Sequence, residues 1–270
     1  MRRGDFAAAW ENSDAFLREH RDEECWHLPR HEQWIWRGEP LDGKRVLIRC
    51  YRGYGDIIQF LRYVPMVQAI AKSVTLWLPE PLIPFANAPA VPLHDGAFEG
   101  EYDVDVELME LPYVFRTTLE TIPRDVPYLP VLGRRSSVLG RVGLCVQSGD
   151  WDGRRDVPEE LFADLQAVDL RVIRPPLALA EAMMEMELII SVDTFAAHLA
   201  GALARPVWVL LHADPDWRWM LGRDDSPWYP TMKLFRQERA GEWQPVVDRV
   251  KATVAARRGS PSRGRGATAP

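Results

Sequence analysis

Cysteine is scarce in this chain, with three among 270 residues, at positions 25, 50 and 145. Their number is odd and their spacing wide. No CxxC pair is available to hold zinc or exchange disulfides, so a disulfide scaffold and a zinc module are excluded and buried thiols are expected. Long apolar runs are missing as well. The longest, residues 206–211 with its leading proline, has six residues, where a bilayer span needs roughly 20. Arg2 and Arg3 precede only the short apolar stretch 6–10, too brief for a secretory core, and a cytoplasmic location is the default expectation. Positive charge is also in deficit: Lys and Arg number 33 against 39 Asp and Glu, giving a net charge of −6. Four arginines, Arg257, Arg258, Arg263 and Arg265, crowd into the C-terminal end, so the body of the chain is more acidic still. Nucleic-acid binding needs a basic face and is not expected.

What the chain has is 47% hydrophobic residues, enough buried surface to offset chain entropy and to build two modest domains. Residues 5–20 read as a helix with Asp5 as its cap, followed by an aromatic stretch with His27 and His31 that ends near Gly38. The two histidines are four apart, but no carboxylate or cysteine completes a metal set at recognisable spacing, and no metal is expected. From Lys44 the pattern becomes strand, glycine turn, helix: 45–50, then Gly53-Tyr54-Gly55-Asp56, then 57–71, with a second strand at 74–78. This βαβ pattern implies a parallel sheet with ligands at the carboxyl ends of its strands. A strand at 102–106 and a short helix within 111–119 follow, and a proline-rich linker spans 126–140. The second cycle has strands at 142–146, 170–173, 188–192 and 206–211, with helices at 158–165, 177–186, 194–204 and 242–256. The domains read as an N-terminal helical and aromatic segment, 1–43; a Rossmann-like domain, 44–125; the linker; a second Rossmann-like domain, 141–256; and a disordered tail, 257–270.

Three segments could carry chemistry. In the glycine turn, Asp56 could cap the following helix or serve as a general base at the mouth of an interdomain cleft. The third glycine of a dinucleotide fingerprint is missing, which leaves nicotinamide binding weakly supported. In the second segment, Asp193 can cap a helix whose free N–H groups favour a diphosphate, with Thr194 and His198 on one face. Small residues there let the helix lie close to the sheet. The third is aromatic, with Trp217, Arg218, Trp228 and Arg236. Rings beside arginines suit a nucleobase or sugar, and equally suit a packed loop.

In combination and in this order, these segments resemble the bacterial glycosyltransferases of the heptosyltransferase family, family 9, particularly the catalytic region that often follows tetratricopeptide repeats. The likeness covers about residues 5–256 and rests on three stretches: 41–44 leading to Gly55-Asp56-Ile57-Ile58-Gln59; Ser191-Val192-Asp193-Thr194 with His198-Leu199-Ala200-Gly201; and Asp216-Trp217-Arg218-Trp219 through Ser226-Pro227-Trp228-Tyr229-Pro230 to Arg236-Gln237. The resemblance implies an α/β fold of the GT-B type, two Rossmann-like domains facing across a cleft, with the acceptor mainly on the first and the sugar nucleotide on the second. It further implies sugar transfer from a nucleotide-diphosphate donor to a hydroxyl acceptor, on a glycan or a protein, with inversion and without metal or other cofactor. Asp56 then matches the base. Gly55, Asp193, Thr194, His198 and Arg155 match donor-binding positions, and Trp217, Arg218 and Arg236 are candidates for contacts to the base or sugar. The chain departs from the family pattern at Asp156, where a serine is expected, and at Arg174-Pro175-Pro176, where relatives carry a longer insertion. The repeats themselves are absent; residues 5–38 read as a remnant of their end, and a separate repeat-containing partner could deliver the acceptor. The alternative is a catalytically silent module that keeps the fold and binds a glycan, nucleotide or protein.

Overall fold

The computed structural model describes residues 1–130, 140–149 and 152–259. Most of the expected linker and the residues beyond 259 lie outside the described residues. Helix α1, Phe6–His20, opens the chain, and Asp5 caps it by accepting from the Ala8 amide at 3.0 Å. The first sheet follows. Strand β1, Arg45–Arg49, leads through the glycine turn into helix α2, Tyr54–Phe60, and helix α3, Val64–Ile70, which return the chain to β2, Ser73–Leu78. Strands β3, Ala90–Pro92, and β4, Val104–Glu107, complete a four-stranded parallel sheet in the order β3-β2-β1-β4, and the short helix α4, Leu111–Val114, closes this half.

The second sheet is also wholly parallel. Strands β5, Val142–Cys145, β6, Ala167–Asp169, β7, Leu188–Val192, β8, Val207–Leu211, and β9, Met232–Arg236, lie in the order β6-β5-β7-β8-β9. Helix α5, Pro176–Met184, precedes β7, helix α6, Phe195–Ala202, joins β7 to β8, and helix α7, Gln244–Gly259, ends the described chain. Alternation along β8 shows how the layers are filled: Val207, Val209 and Leu211 face the core shared with α6, while Trp208 and Leu210 face the cluster that holds Val246, Val247 and Val250 of α7. Both faces of the strand are thus apolar, as a covered parallel sheet requires. Among the described residues no helix is long and apolar enough to cross a membrane.

Several expected elements differ. The helix expected over 57–71 is broken at a 3-10 turn, Leu61–Tyr63, because Pro65 has no N–H to give to a continuous helix and instead sits in the first turn of α3. The stretch 158–165 forms only a 3-10 turn, Glu159–Phe162, with Phe162 its one buried residue, too little apolar face to sustain a longer helix. The strand expected at 170–173 is displaced to β6, because the Asp169 carboxylate accepts from the Arg171 amide and turns the chain. Strands β3 and β9 were not expected as separate elements. Helix α7 continues to Gly259, three residues into the stretch expected to be disordered, since the buried valines stabilise the helix and its last turn propagates from them.

The two sheets are not separate bodies. One apolar cluster runs from Phe6 and Trp10 through Ile57, Ile58 and Phe60 to Ala197, Leu199 and Ala200, so α2 packs against the small-residue helix α6, with Gly55 at the closest approach. A Cβ on Gly55 would lie 3.0 Å from His198 Cδ2 and 3.4 Å from Phe195 Cα. Beside this contact sits the buried Arg62, which donates to the carbonyls of Gln59, Pro123 and Trp228 and to the Tyr128 hydroxyl, with its guanidinium 4.4 Å from the Tyr229 ring centre. Lysine carries the same charge but cannot fork to four acceptors. Arg62→Lys should therefore cost about 2 kcal/mol or more in urea unfolding, because buried carbonyls lose their donors; a stability equal to that of the parent would show the fork to be unimportant.

Candidate functional site

The carboxyl ends of both sheets converge on the α2 and α6 N-termini. Glycine 53 precedes α2 as its N-cap, which places Asp56 in the first turn rather than at the cap. A similar shift occurs on the other side, where Thr194, not Asp193, is the N-cap residue of α6. Neither aspartate caps its helix. Both are instead held by positive charge.

Asp56 Oδ1 accepts from Arg218 Nη1 at 2.6 Å. The same guanidinium donates through Nη1 to Gln59 Oε1 at 3.1 Å and through Nε to Asp216 Oδ1 at 2.9 Å. Arg218 is buried, and although burial opposes its charge, Asp56, Asp216 and Asp193 raise its proton affinity further. Asp193 forms a second cluster. Its carboxylate lies 3.4 Å from Arg155 Nη1 and 3.7 Å from His198 Nε2, while its carbonyl accepts from Arg155 Nη1 at 3.0 Å. Burial works against the Asp193 charge, but His198, then Arg155 and Arg218, outweigh it and hold the carboxyl at about 2. His198 is buried between the Trp219 ring, stacked at 5.3 Å, and the Tyr229 hydroxyl, 3.1 Å from Nδ1. Burial lowers its pKa, so the imidazole is neutral near pH 7.

Between the two sheets lies a cavity of 840 Å³. Thr194, Phe195 and Ala196 bring the α6 N-terminus to it, Cys145 and Gln147 the end of β5, Leu170 and Arg171 the end of β6, and Arg174, Pro175, Pro176 and Leu179 the start of α5; Tyr54 and Pro81 cover it from the first sheet. The charged residues of its lining are both arginines. Such a volume suits a ligand of nucleotide size; Arg171 is already held by Asp169 and Glu159, and Arg174 beside the helix N–H groups suits an anionic one.

Of the residues singled out by sequence, Thr194 lines the cavity. Asp193, His198 and Arg155 form one cluster behind it, with Gly55 packed on His198. Asp56 stands outside the lining, joined to Arg218. Trp217 packs edge-on against Phe6 and Trp228, and Arg236 donates to the carbonyls of Arg223 and Trp219. Those two side chains hold the aromatic loop together. Sequence reasoning missed Tyr54, Gln147, Arg171 and Arg174. The available signal was position, since each lies within a few residues of the carboxyl end of a parallel strand.

A further ionisable pair lies at the end of β4. Glu107 is 1% exposed, accepts from the Met109 amide at 2.8 Å and has Arg52 Nε 3.8 Å away, while its Oε1 is unpartnered. Burial pushes its carboxyl up to about 8, against the opposing charge of Arg52 and with added repulsion from Glu110 and Asp56. Glu110, which anchors the amides of Ile35 and Trp36, is pushed by burial to about 7.

No model of a known protein family matches the sequence. The chain is 23% identical to Protein FlbA of Caulobacter vibrioides over 287 aligned positions, covering 81% of this chain and 48% of FlbA; it thus spans about half the length of that relative. In three dimensions it is similar to a family 9 glycosyl transferase from Veillonella parvula, with a TM-score of 0.53 and 12% identity, over 84% of this chain and 93% of that one. It is also similar to the E. coli heptosyltransferase WaaC with ADP-2-deoxy-2-fluoro heptose and to the E. coli ADP-heptose lps heptosyltransferase II. Each has a TM-score of 0.50 and 14% identity, over 79% of this chain and 99% of the other. The architecture is therefore α/β and GT-B-like, with two parallel sheets, as in those heptosyltransferases.

The raised Glu107 carboxyl gives stability a defined pH dependence. An unfolded glutamate ionises near 4.3, while the folded one keeps its proton to about 8. The contribution is thus fully present below pH 4.3 and is lost as pH rises to 8, on the order of 5 kcal/mol in all. Glu107→Gln keeps the shape and removes the titration. In urea melts, its stability should fall less between pH 5 and pH 8 than that of the parent; parallel declines would show that Glu107 ionises normally.

Proposed function

We propose that the protein is a glycosyltransferase, moving a sugar from a nucleotide-diphosphate donor to a hydroxyl on a glycan or protein acceptor, with inversion and without a metal. The single observation carrying this reading is the 840 Å³ cavity at the convergence of two parallel sheets, with Arg171, Arg174 and the α6 N-terminus on its wall. The GT-B-like fold shared with family 9 enzymes supports it. One of those, the E. coli WaaC structure, holds an ADP-heptose analogue.

In this reading the donor lies in the cavity with its diphosphate toward the amides of α6, and the apolar side chains of Leu170, Leu179 and the proline pair take the nucleoside. The acceptor oxygen forms a bond to the anomeric carbon from the face opposite the diphosphate. The bond from that carbon to the diphosphate oxygen breaks, and its electron pair leaves with the diphosphate. Asp56 accepts the hydroxyl proton. Negative charge that builds on the diphosphate is met by helix N–H groups and by Arg174. Arg155 and His198 act on the donor side by fixing Asp193 and the backbone entering α6.

One observation favours a second reading, that of a silent binding module: Asp56 lies outside the cavity lining and is already ion-paired. The two are separated by one comparison. Under the transferase reading, ADP or UDP raises the melting temperature of the parent and of Asp56→Asn equally, whereas release of nucleoside diphosphate from a nucleotide sugar falls by at least about 100-fold in the variant. His198→Ala should weaken the thermal shift. Full turnover by Asp56→Asn would remove the mechanism, and a thermal shift without turnover by the parent would favour the binding module.

A further inference from the structure

Arg218 belongs to the second half of the chain and Asp56 to the first, yet their side chains meet at 2.6 Å. The arginine is unusually well fixed. Its backbone amide and its Nε both donate to Asp216 Oδ1, at 3.0 and 2.9 Å, its carbonyl accepts from the Trp228 indole at 3.0 Å, and Gln59 Oε1 accepts from Nη1 at 3.1 Å. The side chain of Arg218 is 9% exposed and that of Asp56 26%. The solvent-facing part of the pair is thus the carboxylate, and Asp56 Oδ2 receives no hydrogen bond from any described residue.

Two functions are open to such an arginine: neutralising the departing diphosphate, or orienting the base. The surrounding charge separates them. Arg218 already donates to two carboxylates and feels a third, Asp193. A diphosphate entering that space would compete with Asp56 and Asp216 for a guanidinium they already neutralise, beside an Asp193 that is itself paired with Arg155, which costs more than it returns. A guanidinium that grips one oxygen of a carboxylate, however, fixes the direction of the other.

We propose that Arg218 is the positioning residue for Asp56: it clamps Oδ1 across the interface between the two halves so that Oδ2 is directed at the acceptor hydroxyl. The clamp joins α2 to the turn Trp217–Trp219 of the second half, so base orientation depends on how the two halves pack against each other. This rests on the transferase reading above.

The test uses Arg218→Ala and Arg218→Lys, and Asp216→Asn as a milder variant that loosens the clamp should the first two fail to fold. Release of nucleoside diphosphate is followed with ADP-, UDP- and GDP-sugars, and ADP, UDP and GDP binding is measured by calorimetry. Loss of orientation should lower kcat on the order of 100-fold in Arg218→Ala, with KM for the donor and the diphosphate Kd changed less than about threefold. Arg218→Lys should fall between, Asp216→Asn should lower kcat without altering Kd, and millimolar guanidinium should restore part of the Arg218→Ala rate. A merely structural arginine would show no such rescue. Unchanged kcat, absence of rescue, or a tenfold weaker diphosphate Kd would overturn the positioning role while leaving the transferase reading in place. Absence of turnover by the parent with every donor would sink both.

Discussion

A guanidinium that cannot shed its proton, enclosed without a carboxylate partner, must satisfy its donors with neutral oxygens or not be buried at all. Arg62 meets that requirement by drawing its acceptors from three places: the end of α2, the segment after Thr121, and the loop before β9. The geometry of those oxygens fixes how the two halves meet. The α2–α6 contact beside it follows, and with it the convergence of the strand ends that frames the cavity.

Around that frame, charge is arranged by desolvation as much as by pairing. Asp193 stays ionised in a dry setting because His198, Arg155 and Arg218 outweigh its burial, whereas Glu107 holds a proton because Arg52 and the Met109 amide do not outweigh its own. The same residue class thus takes opposite protonation states on the two sides of the glycine turn. Asp56 is placed between them and held by Arg218, so its surroundings combine a neutral carboxyl, a fixed cation and partial access to solvent.

Much of this architecture was legible in sequence. The runs at 46–48, 188–192 and 207–211 are rich in apolar and β-branched residues on both faces, as a covered parallel sheet requires, and all three lie in strands. The alternation of strand and helix therefore pointed to the two-sheet fold. Elements set by tertiary contact were not legible. Strand β9 carries Lys233 and Arg236 and reads as loop, and only its pairing with β8 makes it a strand. At the site, the segments around 56 and 193 were visible from glycine and helix-start chemistry. The partners were not, because Arg218 lies 162 positions from Asp56 and nothing local in Trp217-Arg218-Trp219 distinguishes a stacking arginine from one aimed at a carboxylate. Arg236 illustrates a mixed case: its surroundings suggest ligand contact, and in the structure Nε and Nη2 donate to backbone carbonyls while Nη1 has no hydrogen-bond partner among the described residues.

The continuous apolar cluster from α1 through α2 to α6 makes the halves interdependent in a way that sheet topology alone does not convey. Neither sheet has a finished surface of its own on the side where they touch, so each acts as solvent for the other. Denaturation is consequently expected to proceed as a single cooperative event rather than domain by domain, and a cut within the connecting segment would yield two sticky fragments instead of two working modules.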